Sequence, residues 1–126
     1  LIQSKHASIK TIEVGTDEYN MYYNLMYNPD GNHKTIGSGE AASIVLAKSN
    51  NGILASNNLR DISAYIKEFE LKHLTTGDIL IEALEAGVIT EDIGNSIWKT
   101  MLSKKRKLGA NSFTEYKDYK YKNNYY

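Results

Sequence analysis

Cysteine is absent from the chain, which excludes a disulfide framework, a thiolate nucleophile and any Cys-ligated zinc or iron-sulfur site. Net charge is absent as well: fifteen basic residues balance fifteen acidic ones, so total charge predicts neither nucleic-acid nor membrane binding. An electrostatic partner has to be sought in local clusters. No apolar run approaches the ~20 residues that span a bilayer, and the opening LIQSKHASIK lacks the apolar stretch of a signal peptide. These absences, with the missing cysteine, read as a soluble cytoplasmic protein with no membrane partner. Histidine is scarce: His6, His33 and His73 lie far apart on different segments, without the convergent spacing of a His-only metal site.

What is present is an ordinary globular composition, 41% hydrophobic and 24% charged with one proline, in 126 residues. That length suits one domain with one continuous core. We expect it over residues 1–111, followed by a tail over 112–126. The chain opens on leucine and runs directly into a patterned segment, which suggests further sequence upstream.

Leu1-Ile2 reads as the tail of a helix. Ser8 to Val14 is rich in β-branched residues, ends at Gly15, and reads as a first strand. Thr16 with Asp17 and Glu18 opens a helix whose apolar positions are Tyr19, Tyr22, Tyr23, Met26 and Tyr27, closed by Asn28-Pro29-Asp30-Gly31. Ser38 caps a second helix, with Glu40 in its first turn and small residues for close packing. Ile53 to Ala55 is a strand. From Asn58 the positions Leu59, Ile62, Tyr65, Ile66 and Phe69 define a helical face. Lys72 to Thr75 is a short strand, followed by a helix bearing Ile79, Leu80, Ala83 and Leu84 that closes at Gly87. Thr90, Glu91 and Asp92 open a last helix, expected to run to about Leu108 and to stop at Gly109. Alternating strands and helices imply an α/β fold, a mostly parallel sheet with helices on both faces. Ser112 to Tyr126 holds five of the ten tyrosines and three lysines among few aliphatics, and reads as an extended or partly ordered tail.

Three helices begin with polar clusters: Glu40, the pair Asn57-Asn58 with Asp61, and Asp78. In a parallel sheet such starts share one edge, so these side chains can converge. Clustered carboxylates hold Mg²⁺ or Mn²⁺, which activates water and holds a phosphodiester. The competing reading is capping, since first-turn acids satisfy free N–H groups and the helix dipole, worth ~0.3–1 kcal/mol each. Asn58 with Asp61 three residues later has the form of a capping box. Both readings stand on spacing alone.

The string SGEAASIVLAKSNNGILASNNLRDISAYIKEFELKHLTTGDILIEALEAGVI resembles the second half of a PIN-domain protein of the toxin-like nuclease subgroup, over about Ile36 to Ile89. The family pattern is a Gly-Glu-Ala/Ser-Ala helix, a strand ending in acidic residues, a helix, a short strand and a helix closing on a Gly-aliphatic-Ile run. It implies a three-layer α/β/α fold, a Mg²⁺ or Mn²⁺ cofactor, cleavage of RNA phosphodiesters, and an antitoxin-like protein partner or a homodimer. On that resemblance Glu40, Asp78, Asn57 and Asn58 form the catalytic set, Glu40, Asp78 and Asp61 hold the metal, and Arg60 lies near phosphate. Asn57 and Asn58 stand where the family usually has aspartate. A neutral amide still ligates through oxygen but brings no charge and no base. The family's first-strand aspartate has no counterpart, its segment being expected upstream of Leu1. A second class of function follows from these departures: a catalytically degenerate module that binds RNA or a protein.

Lys104, Lys105, Arg106 and Lys107 concentrate four positive charges, and the Lys/Tyr tail follows. Together they suit an RNA backbone and its bases, and equally suit the solubilised C-terminus of a helix.

Overall fold

The computed structural model of the protein describes residues 3–31 and 33–124, so the reading of Leu1-Ile2 as a helix tail lies outside the described residues. The elements are α1 (Asp17–Tyr27), α2 (Ser38–Ser49), β1 (Ile53–Ala55), α3 (Leu59–Glu68), β2 (Lys72–Leu74), α4 (Thr76–Glu85), α5 (Glu91–Ser103) and α6 (Phe113–Asn124). Among the described residues the fold is therefore mixed α/β, six helices with one two-stranded parallel sheet of β1 and β2. The chain falls into two compact units, one of Leu1–Leu54 with Arg60–Lys72 and one of Ala55–Leu59 with His73–Tyr126. Where one continuous core is expected, each unit has its own cluster of buried side chains.

The expected first strand is not formed: residues 8–14 carry no ladder. β-branched residues make a strand only when a partner pairs the backbone and covers one face. Here Ile9 is 75% and Val14 79% exposed, and Ile12 is the residue of this stretch that packs on the core.

In the first unit α1 packs on α2. Thr16 caps α1 as expected, its hydroxyl accepting the Tyr19 N–H at 3.1 Å. The buried face of α1 differs from the expected stripe. Leu25 is buried, with Met21, Tyr22 and Met26 packed beside it, whereas Tyr23 and Tyr27 are exposed and lean on each other at 4.9 Å. The amphipathic tyrosine ring tolerates either side of the helix, so the tyrosine pattern misplaced the apolar face. Helix α2 is capped by the backbone of Gly37 without a side-chain bond, correcting the assignment to Ser38. Its buried face mixes the small residues expected there, Ala41 and Ala47, with the larger Ile44 and Val45. His33 Nε2 donates to the Glu68 carboxylate at 2.7 Å, and its ring stacks on buried Tyr65 at 4.4 Å between centres. Burial, then the charges of Glu68 and Asp30, raise the Tyr65 hydroxyl above its usual range.

In the second unit α6 packs on α4 and α5 around Trp98 and Phe113, both fully buried. The segment expected as a tail is thus a helix through Asn124. Its aromatics fall at helical spacing, with Phe113 buried and Tyr116 and Tyr121 packed on the same cluster. Two glycines admit α6. A Cβ on Gly94 would lie 2.3 Å from the Phe113 ring, and one on Gly77 2.3 Å from the Tyr116 ring. Asn95 fixes the start of α6: its amide oxygen accepts the Thr114 N–H at 3.1 Å while its amide nitrogen donates to the Thr114 hydroxyl at 2.8 Å. The same hydroxyl donates to Glu91 at 2.6 Å, and Lys117 pairs with Glu91 at 2.7 Å.

Helix α5 ends at Ser103, short of the expected Leu108. The Lys105 N–H bonds to Leu102 O at 2.9 Å and the Arg106 N–H to Met101 O at 3.1 Å, the paired closure of a Schellman motif. Lys105, at φ +60°, takes the left-handed position that glycine usually fills. Helix α4 closes in the same way with Gly87, at φ +73°, in that position, as expected. The four cations therefore sit on the turn after α5 rather than within its last turn.

Candidate functional site

A cavity of about 420 Å³ lies wholly within the second unit. Its lining combines apolar Leu59, Leu108 and Ala110 with the rings of Tyr116 and Tyr119 and with polar Asn57, His73, Thr75, Asp78, Glu115 and Lys120. That volume and mixture are those of a small-ligand site.

Thr75 is the N-cap of α4, and its hydroxyl accepts the Asp78 N–H at 3.2 Å. The Asp78 carboxylate reaches back to the Thr75 N–H at 2.9 Å, completing a capping box. Tyr116 closes the arrangement. Its hydroxyl donates to Asp78 Oδ1 at 2.8 Å and lies 2.7 Å from the Thr75 hydroxyl. The single phenolic proton goes to the carboxylate, so Thr75 donates to the tyrosine oxygen. A ring of three bonds results, from the Asp78 N–H to Thr75 to Tyr116 and back to Asp78. Burial, opposed by Thr75 and reinforced by the bond and charge of Asp78, pushes the Tyr116 hydroxyl up to about 12, which keeps its proton in place. For Asp78 burial acts to raise the carboxyl. The Thr75 N–H, the Tyr116 hydroxyl and Lys120 outweigh it, and the group lies below its ordinary value. Lys120 stands 3.3 Å from Asp78 Oδ1.

Asn57 holds the same helix start by the device Asn95 uses on α6. Its amide oxygen accepts the Thr76 N–H and its amide nitrogen donates to the Thr76 hydroxyl, each at 2.8 Å. His73, on β2, makes a 2.7 Å bond from Nε2 to Ser56 O. A carbonyl accepts only, so Nε2 carries the proton.

The structure brings Asn57 and Asp78 of the expected site to one cavity, and it gives both of them work in holding α4. Asn58 precedes α3 in the second unit, with its N–H on the Ser56 hydroxyl at 3.1 Å. Glu40 and Asp61 lie in the first turns of α2 and α3, and Arg60 is exposed on α3; all three belong to the first unit. The carboxylate of Glu40 folds back over the α2 N-cap, its Oε2 being 2.7 Å from where a Gly37 Cβ would stand. Lys104, Lys105, Arg106 and Lys107 are all exposed. Their turn is pinned on both sides, by the Schellman closure before it and after it by buried Leu108 and by the Trp98 indole N–H donating to Ala110 O at 3.0 Å.

The charge of Asp78 is already compensated within the fold: Oδ2 accepts the Thr75 N–H, Oδ1 accepts the Tyr116 hydroxyl, and the Lys120 ammonium lies 3.3 Å from Oδ1. Among the described residues no three His, Asp or Glu side chains group as metal ligands. Also among the described residues, no helix is long and apolar enough to cross a membrane.

The sequence reading missed His73 as a pocket residue, together with Thr75, Tyr116, Tyr119 and Lys120. Four of them could be found from local signals. Thr75 precedes Asp78 by three residues, a capping pattern, and Ser112 precedes Glu115 likewise; the Ser112 hydroxyl accepts the Glu115 N–H at 3.0 Å. That second signal marks the start of a helix and puts Tyr116, Tyr119 and Lys120 on it at i, i+3 and i+4. No protein-family model, curated protein or solved structure matches this chain.

Proposed function

We propose that the second unit is a non-catalytic module that binds single-stranded RNA. The observation that carries the reading is the junction of a pinned, exposed cationic turn, Lys104 to Lys107, with the aromatic cavity, of whose lining the next residue, Leu108, is part. Lysines and arginine engage phosphates, and tyrosines offer faces to bases, in a combination that single-stranded nucleic acid matches in both respects. The resemblance to PIN-domain proteins points to the same polymer, and on this reading β1 and β2 belong to a three-layer PIN-like arrangement. Binding without cleavage follows from Asp78, whose charge is spent on the α4 cap and on Lys120.

The test is fluorescence anisotropy of a labelled single-stranded RNA at low salt, once in EDTA and once in Mn²⁺, with the RNA then run on a denaturing gel. Equal affinity in the two buffers and intact RNA are expected. Cleavage in Mn²⁺ that disappears in Asp78→Asn would establish the ribonuclease reading instead. Failure to bind any RNA at low salt would remove both.

A further inference from the structure

His73 brings to the cavity lining a ring nitrogen that the fold leaves unused. His73 spends its Nε2 proton on Ser56 O at 2.7 Å. Of the two tautomers of the uncharged ring, that bond selects the one with its hydrogen on Nε2, which leaves Nδ1 a bare lone pair. Among the described residues no buried side-chain nitrogen or oxygen lacks a partner, so this Nδ1, which has none, is open to solvent and to a ligand. Its neighbours in the lining are committed elsewhere: Asn57 to Thr76, and Asp78 to Thr75, Tyr116 and Lys120. A ligand that enters between Leu59, Leu108 and the rings of Tyr116 and Tyr119 meets an acceptor whose ring is held in place by the Ser56 bond, in a lining that also carries the Glu115 carboxylate and the Tyr119 hydroxyl. It has to be planar to use the rings and has to carry an N–H to use Nδ1. Lys120 and Asp78 pair within the lining, so the surplus positive charge comes from the exposed turn Lys104 to Lys107, which adjoins Leu108 in the chain and favours an anionic group on that side.

We propose that the cavity binds one nucleoside monophosphate unit, with an amino-bearing base donating to His73 Nδ1 and the phosphate outside, against Lys120 and the Lys104 to Lys107 turn. The proposal rests on the RNA reading and narrows it to one nucleotide and one recognition residue. The unit reaches the cavity either as a free nucleotide or as one nucleotide of a strand.

The discriminating variant is His73→Gln. A glutamine amide nitrogen can occupy the place of Nε2 and keep the bond to Ser56 O, but it leaves nothing where Nδ1 stood. Isothermal titration of the full chain with AMP and with purine riboside monophosphate, which lacks the amino group, reads the contact directly. Wild type binds AMP about fivefold tighter, the usual worth of one hydrogen bond. His73→Gln binds both equally, at the weaker affinity, while its melting temperature stays near wild type. Equal affinity of the wild type for the two nucleotides overturns the proposal, and so does a folded His73→Gln that still prefers AMP. Should His73→Gln fail to fold, the wild-type comparison decides alone. A parallel anisotropy titration with a short labelled oligoadenylate separates the levels. Salt-dependent RNA binding without AMP binding removes the pocket proposal and leaves the RNA reading standing. AMP binding without RNA binding does the reverse, and neither binding removes both.

Discussion

Replacing Gly94 with alanine puts a methyl carbon 2.3 Å from Cδ2, 2.6 Å from Cε2 and 3.1 Å from Cγ of Phe113. Carbon atoms settle at ~3.5–4.0 Å, so the ring must retreat by roughly 1 Å or more. Phe113 has no empty side to retreat to, being fully buried with Trp98 at 6.2 Å between ring centres. Overpacking of this kind costs about 1–3 kcal/mol. Alanine in a helix interior returns up to about 1 kcal/mol relative to glycine. Moving α6 to make room also stretches the Asn95–Thr114 pair and the 2.7 Å Lys117–Glu91 bridge. We expect a net loss of about 1–2 kcal/mol. The assay is urea unfolding followed by the fluorescence of Trp98, the single tryptophan, which sits in the same cluster. Gly39→Ala is the control, because a Cβ at that exposed position in the first turn of α2 meets nothing within 4 Å. Circular dichroism is expected to show it neutral or slightly stabilised. The double variant Gly94→Ala with Phe113→Leu should lose less than the sum of the two single changes. A Gly94→Ala protein as stable as wild type would refute the claim that α6 needs a glycine beneath it.

Two further outcomes follow from the caps. Asp78 ionises below its ordinary range when folded, so its contribution to stability is complete above the unfolded value of ~3.9 and disappears as the pH falls through the lower folded value. Asp78→Asn is therefore expected to be less stable than wild type at pH 7, by about 1–2 kcal/mol, with the gap shrinking below about pH 4; urea midpoints across pH test this, and a gap that stays constant would contradict it. Lys105→Gly relieves a left-handed residue at the end of α5 and should raise stability by about 0.5–1 kcal/mol without RNA present, whereas an unchanged or lower melting temperature would show that the turn carries no strain.

What the sequence disclosed was governed by how local each signal is. The caps Thr16 and Thr90 and the stop at Gly87 depend on neighbours within one turn, and the structure shows all three. The order of elements from α1 to α5 followed from periodicity in the same way. The strand over Ser8 to Val14 failed because pairing depends on a partner that no local pattern supplies. The α1 face was misread because tyrosine serves both inside and outside a helix. For the candidate site the sequence showed that Asn57 and Asp78 stand at helix starts, without showing what they hold there. Asn57 reaches Thr76 across nineteen positions and Tyr116 reaches Asp78 across thirty-eight, distances at which spacing carries no information. The aromatic segment after Ser112 was judged by its few aliphatics, although its rings, at helical intervals, close the cavity wall.

The most direct test of the account is the salt dependence of RNA affinity in the wild type and in a variant with Lys104, Lys105, Arg106 and Lys107 all changed to glutamine. Each phosphate contact on a single strand contributes about −0.7 to the slope of log affinity against log salt. If the turn holds the backbone, the wild-type slope is steep, and the variant is shallower by about 2–3 with weaker binding at low salt. Identical slopes for the two proteins would contradict it, because RNA would then be bound somewhere other than the turn beside the cavity.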